Sequence, residues 1–378
     1  MSARPELVCV SVVGARPQFV KLSSVSRAMA RSRWPMVDHI VHTGQHYDDA
    51  MSHVFFQDLD IPPPAVNLNI GSGPQGRQTG RMLEALETHL IEHGADVVIV
   101  YGDTNSTLAG ALAAAKLHIP VVHVEAGLRS FNRRMPEELN RIATDHLSDV
   151  LCAPTRTALD NLAHEGLGPR TAFTGDVMYD AILHYAEVAR ERSNIRRTLE
   201  CSAGQYGVVT LHRAENTTAG ELGTLLNALN SAARRFGRLI FPMHPRTAAV
   251  LKSELPDFKP ARELEITAPV GYLDMLALVQ GARWVLTDSG GLQKEAYFLG
   301  CPCITLREET EWLETLENGA NFIAGADGSR LGARLETLEK EPVRELDRPP
   351  ARRAGPFGSG SAADLVLETV NTLAESRR

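Results

Sequence analysis

Ten short apolar runs, each four to seven residues long and separated by longer amphipathic stretches, set what this chain of 378 residues can fold into. The first five are Leu7–Val13, His39–His42, Val97–Tyr101, Val121–Val124 and Val150–Ala153. The second five are Gly207–Leu211, Leu239–Met243, Leu264–Thr267, Trp284–Thr287 and Cys303–Leu306. Runs this short and this rich in Val, Ile and Leu suit strands buried on both faces of a parallel sheet. The stretches between them, including Asn105–Leu117, Glu137–His146, Gly220–Phe236 and Leu292–Leu299, read as helices. Such alternation predicts an α/β fold with helices on both faces of each sheet.

The length exceeds what one core supports, so two domains are expected. A polar stretch, Asp176–Gln205, divides the two series and puts the boundary near Gly175–Asp180, giving domains over 1–176 and 177–360. A turn-rich stretch from Arg352 then precedes an amphipathic helix at Ala362–Ser376, while Pro62–Pro64 and Gly71–Gly76 read as loop. Lys and Arg total 39 against 46 Asp and Glu, a net charge of −7. That balance offers no global attraction to nucleic acid or an anionic membrane, so a phosphate ligand needs local cations and helix N-termini. The five cysteines are odd in number and fit no disulfide framework. The chain enters its first strand too early for a signal peptide, and no apolar run nears the ~20 residues that span a bilayer. A cytoplasmic protein is expected.

In open α/β sheets, ligands bind outside the carboxyl ends of the strands. Here nearly every predicted strand ends in charged, His or Gly residues. Gly14-Ala15-Arg16-Pro17 and then Lys21 follow the first, Thr43-Gly44-Gln45 the second, Gly102-Asp103 the third and Glu125-Ala126-Gly127 the fourth. In the second series, His212-Arg213, His244-Pro245-Arg246 and Asp288-Ser289-Gly290-Gly291 take the same place. Polar groups from both series predict one cleft lined by both domains. The glycines after Ser289 let backbone N–H groups at a helix start approach a phosphate, and Glu295, one turn on, suits the two hydroxyls of a ribose. Arg16 and Lys21 bracket the start of the first helix, where an arginine can fork onto a diphosphate.

Asp103 and Glu125 end adjacent predicted strands, and Glu137-Glu138 follow Pro136 in a helix's first turn. Acids there also stabilise the helix dipole, and Arg141 stands four residues past Glu137, the usual ion-pair spacing. Glu125 lies inside the apolar VVHVEAG run, where a carboxylate needs partners or a raised pKa, and either suits acid–base work. His212 beside Arg213 suits a phosphate contact. His89 and His93 are four apart, as are His42 and His46, but neither HExxH nor a cysteine pair accompanies them, so no metal site is expected. Gly71-Ser72-Gly73-Pro74-Gln75-Gly76 matches GxGxxG, yet Pro74 interrupts it and IPPPAVNLNI makes a poor central strand before it, which rejects nicotinamide binding.

Taken in order, VGARPQFVKL, HTGQHYD, YGDTNSTLAG, HVEAGLRSFNRRMPEELNR, TGDVMYDA, TLHRAEN, PMHPRT, VGYLDM and TDSGGLQKEA resemble the non-hydrolysing UDP-N-acetylglucosamine 2-epimerases. The match runs from Val13 to the final helix. It implies a glycosyltransferase-B architecture of two Rossmann-like domains, with the helix in 361–378 crossing back to the first, and a homodimer. It also implies interconversion of UDP-N-acetylglucosamine and UDP-N-acetylmannosamine, with UDP eliminated across carbons 1 and 2 to give 2-acetamidoglucal and then re-added. No redox cofactor or metal takes part. The proton on carbon 2 is not next to a carbonyl, so such a route needs acid–base carboxylates and a stabilised diphosphate. Carried over to this sequence, Asp103, Glu125 and Glu137 take the proton-transfer and sugar-orienting roles, with His212 among the catalytic residues. Arg16, Lys21, Arg141, His212, Ser289 and Gly290 hold the diphosphate and reacting sugar, His244 and Gly291 line the same substrate site, and Glu295 holds the ribose. Gln45, Arg77, Arg213 and His244 suggest the family's second, allosteric UDP-sugar pocket.

Many members of that family carry Thr-Glu-Arg-Pro where this chain has Glu309-Thr310-Glu311-Trp312, so Trp312 replaces an arginine. This feature and the Gly71–Gly80 loop look more like a subgroup acting on UDP-2,3-diacetamido-2,3-dideoxyglucuronate, the alternative substrate. Three other readings remain: a transferase of the same architecture, a hydrolase releasing free sugar, and a nucleotide-sugar sensor. A transferase does not need three carboxylates in the first domain, and a sensor needs none.

Overall fold

The computed structural model describes residues 6–45, 55–317, 319–346, 350 and 354–377. His46, Tyr47 and Asp48 of the HTGQHYD motif lie outside the described residues, as does the chain before Glu6. Two compact units form: Met1–Ala181 together with Arg352–Arg378, and Ile182–Ala351.

The first unit holds β1 (Leu7–Val13), α1 (Arg16–Ala30), β2 (Met36–His42), β3 (Val66–Asn67), α2 (Gln75–His93), β4 (Val97–Tyr101), α3 (Asn105–Lys116), β5 (Val121–Val124), α4 (Pro136–Leu147), β6 (Val150–Ala153), α5 (Arg156–His164) and β7 (Thr171–Phe173). Its strands make one parallel sheet in the order β3-β2-β1-β4-β5-β6-β7. Val10, Val12, Val98 and Val100 of the central strands pack on Met82 and Leu86 of α2 and on the alanines of α3. Small residues let α3 approach closely: a methyl on Gly110 would meet Val100 Cγ1 at 3.1 Å and Val12 Cβ at 3.2 Å.

The helix α6 (Val177–Arg192) leads into the second unit, which holds α7 (Ile195–Thr198), β8 (Gly207–Thr210), α8 (Ala219–Phe236), β9 (Leu239–Pro242), α9 (Pro245–Glu254), β10 (Leu264–Thr267), α10 (Tyr272–Gly281), β11 (Val285–Thr287), α11 (Gly290–Phe298), β12 (Cys303–Thr305), β13 (Asn321–Ile323) and α12 (Leu331–Lys340). The sheet is again parallel, ordered β10-β9-β8-β11-β12-β13. Leu222, Leu225, Leu226 and Leu229 of α8 repeat at helical spacing and pack on Phe241, Leu286 and Ile304. Each such leucine contributes roughly 2 kcal/mol of burial.

The α/β fold of two Rossmann-like sheets is as expected from the runs. The strands missing from the sequence reading are β3, β7 and β13, each of two or three residues and each at a sheet edge. Gly71–Gly76 is not loop throughout, because α2 begins at Gln75. The last helix, α13 (Ala362–Ser376), buries Val366, Leu367 and Val370 in the first unit. Asp180 caps it, its carboxylate accepting from the N–H groups of Ala362 (3.1 Å) and Ala363 (2.9 Å). Gly175, at φ +80°, lets Phe357 pass: a Cβ there would lie 2.8 Å from the Phe357 carbonyl oxygen. No helix of the described residues is long and apolar enough to cross a membrane. All five cysteines are free and buried.

Candidate functional site

Strand order reverses between β1 and β4 in the first unit and between β8 and β11 in the second. In such sheets the crevice outside the carboxyl ends at that point is where ligands bind. Each unit brings part of its predicted set to that edge.

In the first unit, the turn after β1 is built tightly. A Cβ on Gly14 would stand 2.0 Å from Thr43 Oγ1 and 2.3 Å from Ser106 Oγ, so only glycine fits. Gln18 accepts from the N–H groups of Gly14 (2.8 Å) and Ala15 (3.0 Å) and donates to the Tyr101 carbonyl (2.9 Å), stitching this turn to the end of β4. Lys21, one turn along α1, is thereby carried inward. Its ammonium donates to Glu125 Oε1, and both side chains are buried. Gly102, at φ +64°, leaves room for this contact, since a Cβ there would lie 2.7 Å from Lys21 Nζ. Glu125 itself takes a left-handed φ of +73°, uncommon for a glutamate and frequent where backbone strain serves a site.

Asp103, next after Gly102, is bonded through its carboxylate to Arg141 Nη2, and its backbone carbonyl accepts from Asn140 Nδ2 at 3.0 Å. Thr104, not Asp103, caps α3, accepting from the Thr107 N–H at 3.4 Å, so the Asp103 carboxylate is not spent on the helix. The spacing expectation that Arg141 pairs with Glu137 is corrected. Arg141 Nη1 donates instead to Glu138, three residues back, at 3.2 Å. Glu138 is buried against the loop before α4, where the N–H groups of Ser130 and Phe131 need an acceptor, whereas Glu137 is half-exposed. Beneath these groups, buried His123 bridges the Gly102 carbonyl and Asp145 Oδ1, both at 2.7 Å. Burial works against ionisation of Asp145, but His123 and then Arg129 hold its carboxyl below the usual range.

The remaining predicted residues of this unit are spread wider. Gln45 is half-buried and accepts from the N–H (3.1 Å) and hydroxyl (2.7 Å) of Ser106. Arg16 is half-buried, its guanidinium over the Phe55 ring at 5.5 Å. Arg77 is exposed on the first turn of α2.

In the second unit, Asp288 after β11 is the organising group. Its buried carboxylate accepts from the N–H groups of His212 and Arg213 (2.9 Å each) and from Asn216 Nδ2 (3.2 Å), with His212 Nδ1 at 3.1 Å. Burial would raise its pKa, yet the His212 ring and these N–H donors hold it below the usual carboxylate value. The His212 and His244 rings stand 5.7 Å apart. Ser289 caps α11, accepting from the Leu292 N–H at 3.4 Å. Gly290 and Gly291 open that helix, two residues before the expected start, and a Cβ on Gly290 would meet Glu311 Oε1 at 2.9 Å. The N–H groups at a glycine-rich helix start favour an anion. One turn on, Glu295 is buried, and burial pushes its carboxyl up to about 7 against the pull of Lys294. Lys294 Nζ in turn lies 3.7 Å from the Trp312 ring centroid, and Trp312 is buried. Arg307 and Arg213 both reach Glu311, at 2.9 and 3.4 Å.

The arrangement thus offers cation-paired carboxylates for proton transfer in one unit, and an N–H cradle, imidazoles and a perturbed carboxylate for a nucleotide in the other. Among the described residues, no three His, Cys, Asp or Glu side chains are grouped to hold a metal. Sequence reasoning gave no role to Gln18, His123, Glu138, Asn140 and Asp145. HVEAG and MPEELNR contained three of them, but only the fold shows which side chains turn inward.

A family model described as UDP-N-acetylglucosamine 2-epimerase matches residues 30–371. A protein of Methanococcus maripaludis called a UDP-N-acetylglucosamine 2-epimerase homolog is 45% identical over 368 residues, 96% of this chain and 99% of that one. The UDP-2,3-diacetamido-2,3-dideoxy-D-glucuronate 2-epimerase of Pseudomonas aeruginosa is 47% identical over 363 residues, 95% of this chain and 98% of its own. The crystal structure of the Methanocaldococcus jannaschii UDP-GlcNAc 2-epimerase in complex with UDP-GlcNAc and UDP matches with a TM-score of 0.87 and 40% identity, covering 97% of this chain and all of that one.

Proposed function

This chain belongs to the UDP-N-acetylglucosamine 2-epimerase family, and we propose that it interconverts UDP-N-acetylglucosamine and UDP-N-acetylmannosamine without hydrolysis. The observation that carries the reading is the pair of contacts after β4 and β5, half-buried Asp103 on Arg141 and buried Glu125 on Lys21. Carboxylates matched to cations at a sheet's switch point suit removal and return of a proton.

In the forward direction one carboxylate takes the proton from carbon 2 as the bond from carbon 1 to the β-phosphate oxygen breaks, giving 2-acetamidoglucal and UDP. In the return, that oxygen reattacks carbon 1 while a proton reaches the opposite face of carbon 2. Asp103, Glu125 and Glu137 share the proton and sugar roles. Arg16, Lys21, Arg141, His212 and the α11 start at Ser289-Gly290-Gly291 stabilise the diphosphate as charge develops on it. His244 adds to that substrate site, and Glu295 takes the ribose hydroxyls. Gln45, Arg77 and Arg213 serve a second, regulatory UDP-sugar pocket. The working protein is a homodimer, and five free buried cysteines suit the cytoplasm.

A second substrate reading, the diacetamido-glucuronate, is favoured by Trp312, which stands packed on Lys294 where many members of the family carry an arginine. One experiment separates these readings. The protein is incubated with either UDP-sugar in deuterated water, without an acceptor, and followed by proton NMR. Deuterium at carbon 2 and a UDP-manno product from UDP-N-acetylglucosamine are expected. Free sugar would mean hydrolysis, and exchange with the diacetamido substrate alone would move the assignment to the second reading.

A further inference from the structure

Glu138 has no part in the proton transfer proposed above, yet it is buried to 1% side-chain exposure, and its bonds reach the loop before α4 and, within its own helix, Arg141. Oε2 accepts from the Ser130 N–H (2.9 Å), the Ser130 hydroxyl (3.0 Å) and Arg141 Nη1 (3.2 Å), and Oε1 accepts from the Phe131 N–H (2.8 Å). A carboxylate that only braced the loop before α4 would be satisfied by its neutral donors. This one also takes one arm of a guanidinium whose other arm is on Asp103. Arg141 is therefore shared between two carboxylates, one sealed from water and one 27% exposed. The planar fork makes that sharing directional. Where Glu138 holds Nη1, Nη2 has one place to be. The loop on the far side is shaped by the same group: Phe131 is fixed in a left-handed φ of +59° and is 78% exposed.

We propose that Glu138 is the positioning residue for Asp103. It fixes Arg141 and so sets where the Asp103 carboxylate stands. The assignment rests on the epimerase reading, because Asp103 must be a reacting group for its placement to be felt in turnover.

The test uses the full chain and UDP-N-acetylglucosamine. Glu138→Gln keeps the shape and the acceptor for the Phe131 N–H but removes the charge that competes for Arg141. We expect kcat to fall about 100-fold with KM changed less than about threefold. Ser130→Ala removes a neutral donor and leaves both charges, so its kcat should stay within about threefold of the wild type. Glu138→Gln with wild-type kcat would overturn the assignment, as would Ser130→Ala lowering kcat equally, since loop packing would then be the cause. If Glu138→Gln loses its melting transition, Arg141→Lys replaces it. A lysine serves one carboxylate at a time, so kcat must fall while KM changes less, and an unchanged kcat overturns the proposal. Wild-type protein that neither epimerises nor exchanges carbon 2 would instead sink the functional reading, independently of Glu138.

Discussion

The ammonium of Lys21 rests on the carboxylate of Glu125, 104 residues away in sequence, with neither group open to solvent. A buried pair of this kind is weak evidence of net stability, but removing one partner leaves the other charge in a poor dielectric. Lys21→Met should cost about 3–5 kcal/mol and lower the melting temperature by roughly 10 °C. Adding Glu125→Gln should recover most of that loss. Thermal melts of the two variants decide it: a single variant that melts with the wild type removes the pair from the stability argument.

Asp103→Asn keeps the shape of the side chain facing Arg141 but ends its service as a base or acid. The expected loss in kcat is about 100- to 10,000-fold, well beyond any change in UDP affinity, because Asp103 is assigned to the sugar and not to the nucleotide. Turnover near wild type would shift the proton role to Glu125 or Glu137.

Burial, opposed by Lys294, brings Glu295 to about 7. If its ionised form accepts the ribose hydroxyls, UDP binding strengthens as pH rises through that value and weakens below it. Calorimetry on either side of about pH 7 should show this in the wild type and show less of it in Glu295→Gln, whose remaining slope reports the phosphates of UDP. Equal slopes would remove Glu295 from the ribose.

His39 and His89 meet nitrogen to nitrogen at 3.0 Å, with His93 stacked on His89 at 4.2 Å. Burial first, and then repulsion from the neighbouring rings, holds His39 and His89 below the ordinary value of 6.5. A base with a depressed folded-state pKa is protonated first in the unfolded chain. Stability supplied by the neutral cluster is therefore full above about 6.5 and falls as pH drops from there toward the lowered values. His89→Gln should flatten this dependence between about pH 7 and 5, read as melting temperature against pH. A wild-type melting temperature that is level over that span would contradict it.

What the sequence made legible follows from burial on two faces. β1, β4, β5 and β8 are continuous apolar runs because helices cover both sides of each, and the polar residues just past them mark the carboxyl edge. β3, β7 and β13 sit at edges, pair on one side only and leave no run to read. The start of α2 was hidden by Gly73-Pro74 immediately before it. Helical spacing proposed Glu137 for Arg141, but the unsatisfied N–H groups of Ser130 and Phe131 turn Glu138 inward and bring it to the guanidinium first. The Lys21–Glu125 contact was beyond periodicity altogether, since it depends on Gly102 making room.

Asp180 and α13 have a consequence for how the molecule is made. The first unit begins at the chain's start, is interrupted by the whole of Ile182–Ala351, and is completed by a helix translated after that insertion. Its earliest strands leave the ribosome long before the last piece of their own core, so the first unit must wait, incompletely covered, while the second forms from contiguous chain. A late truncation would therefore harm the part of the protein furthest from it in sequence and spare the part next to it.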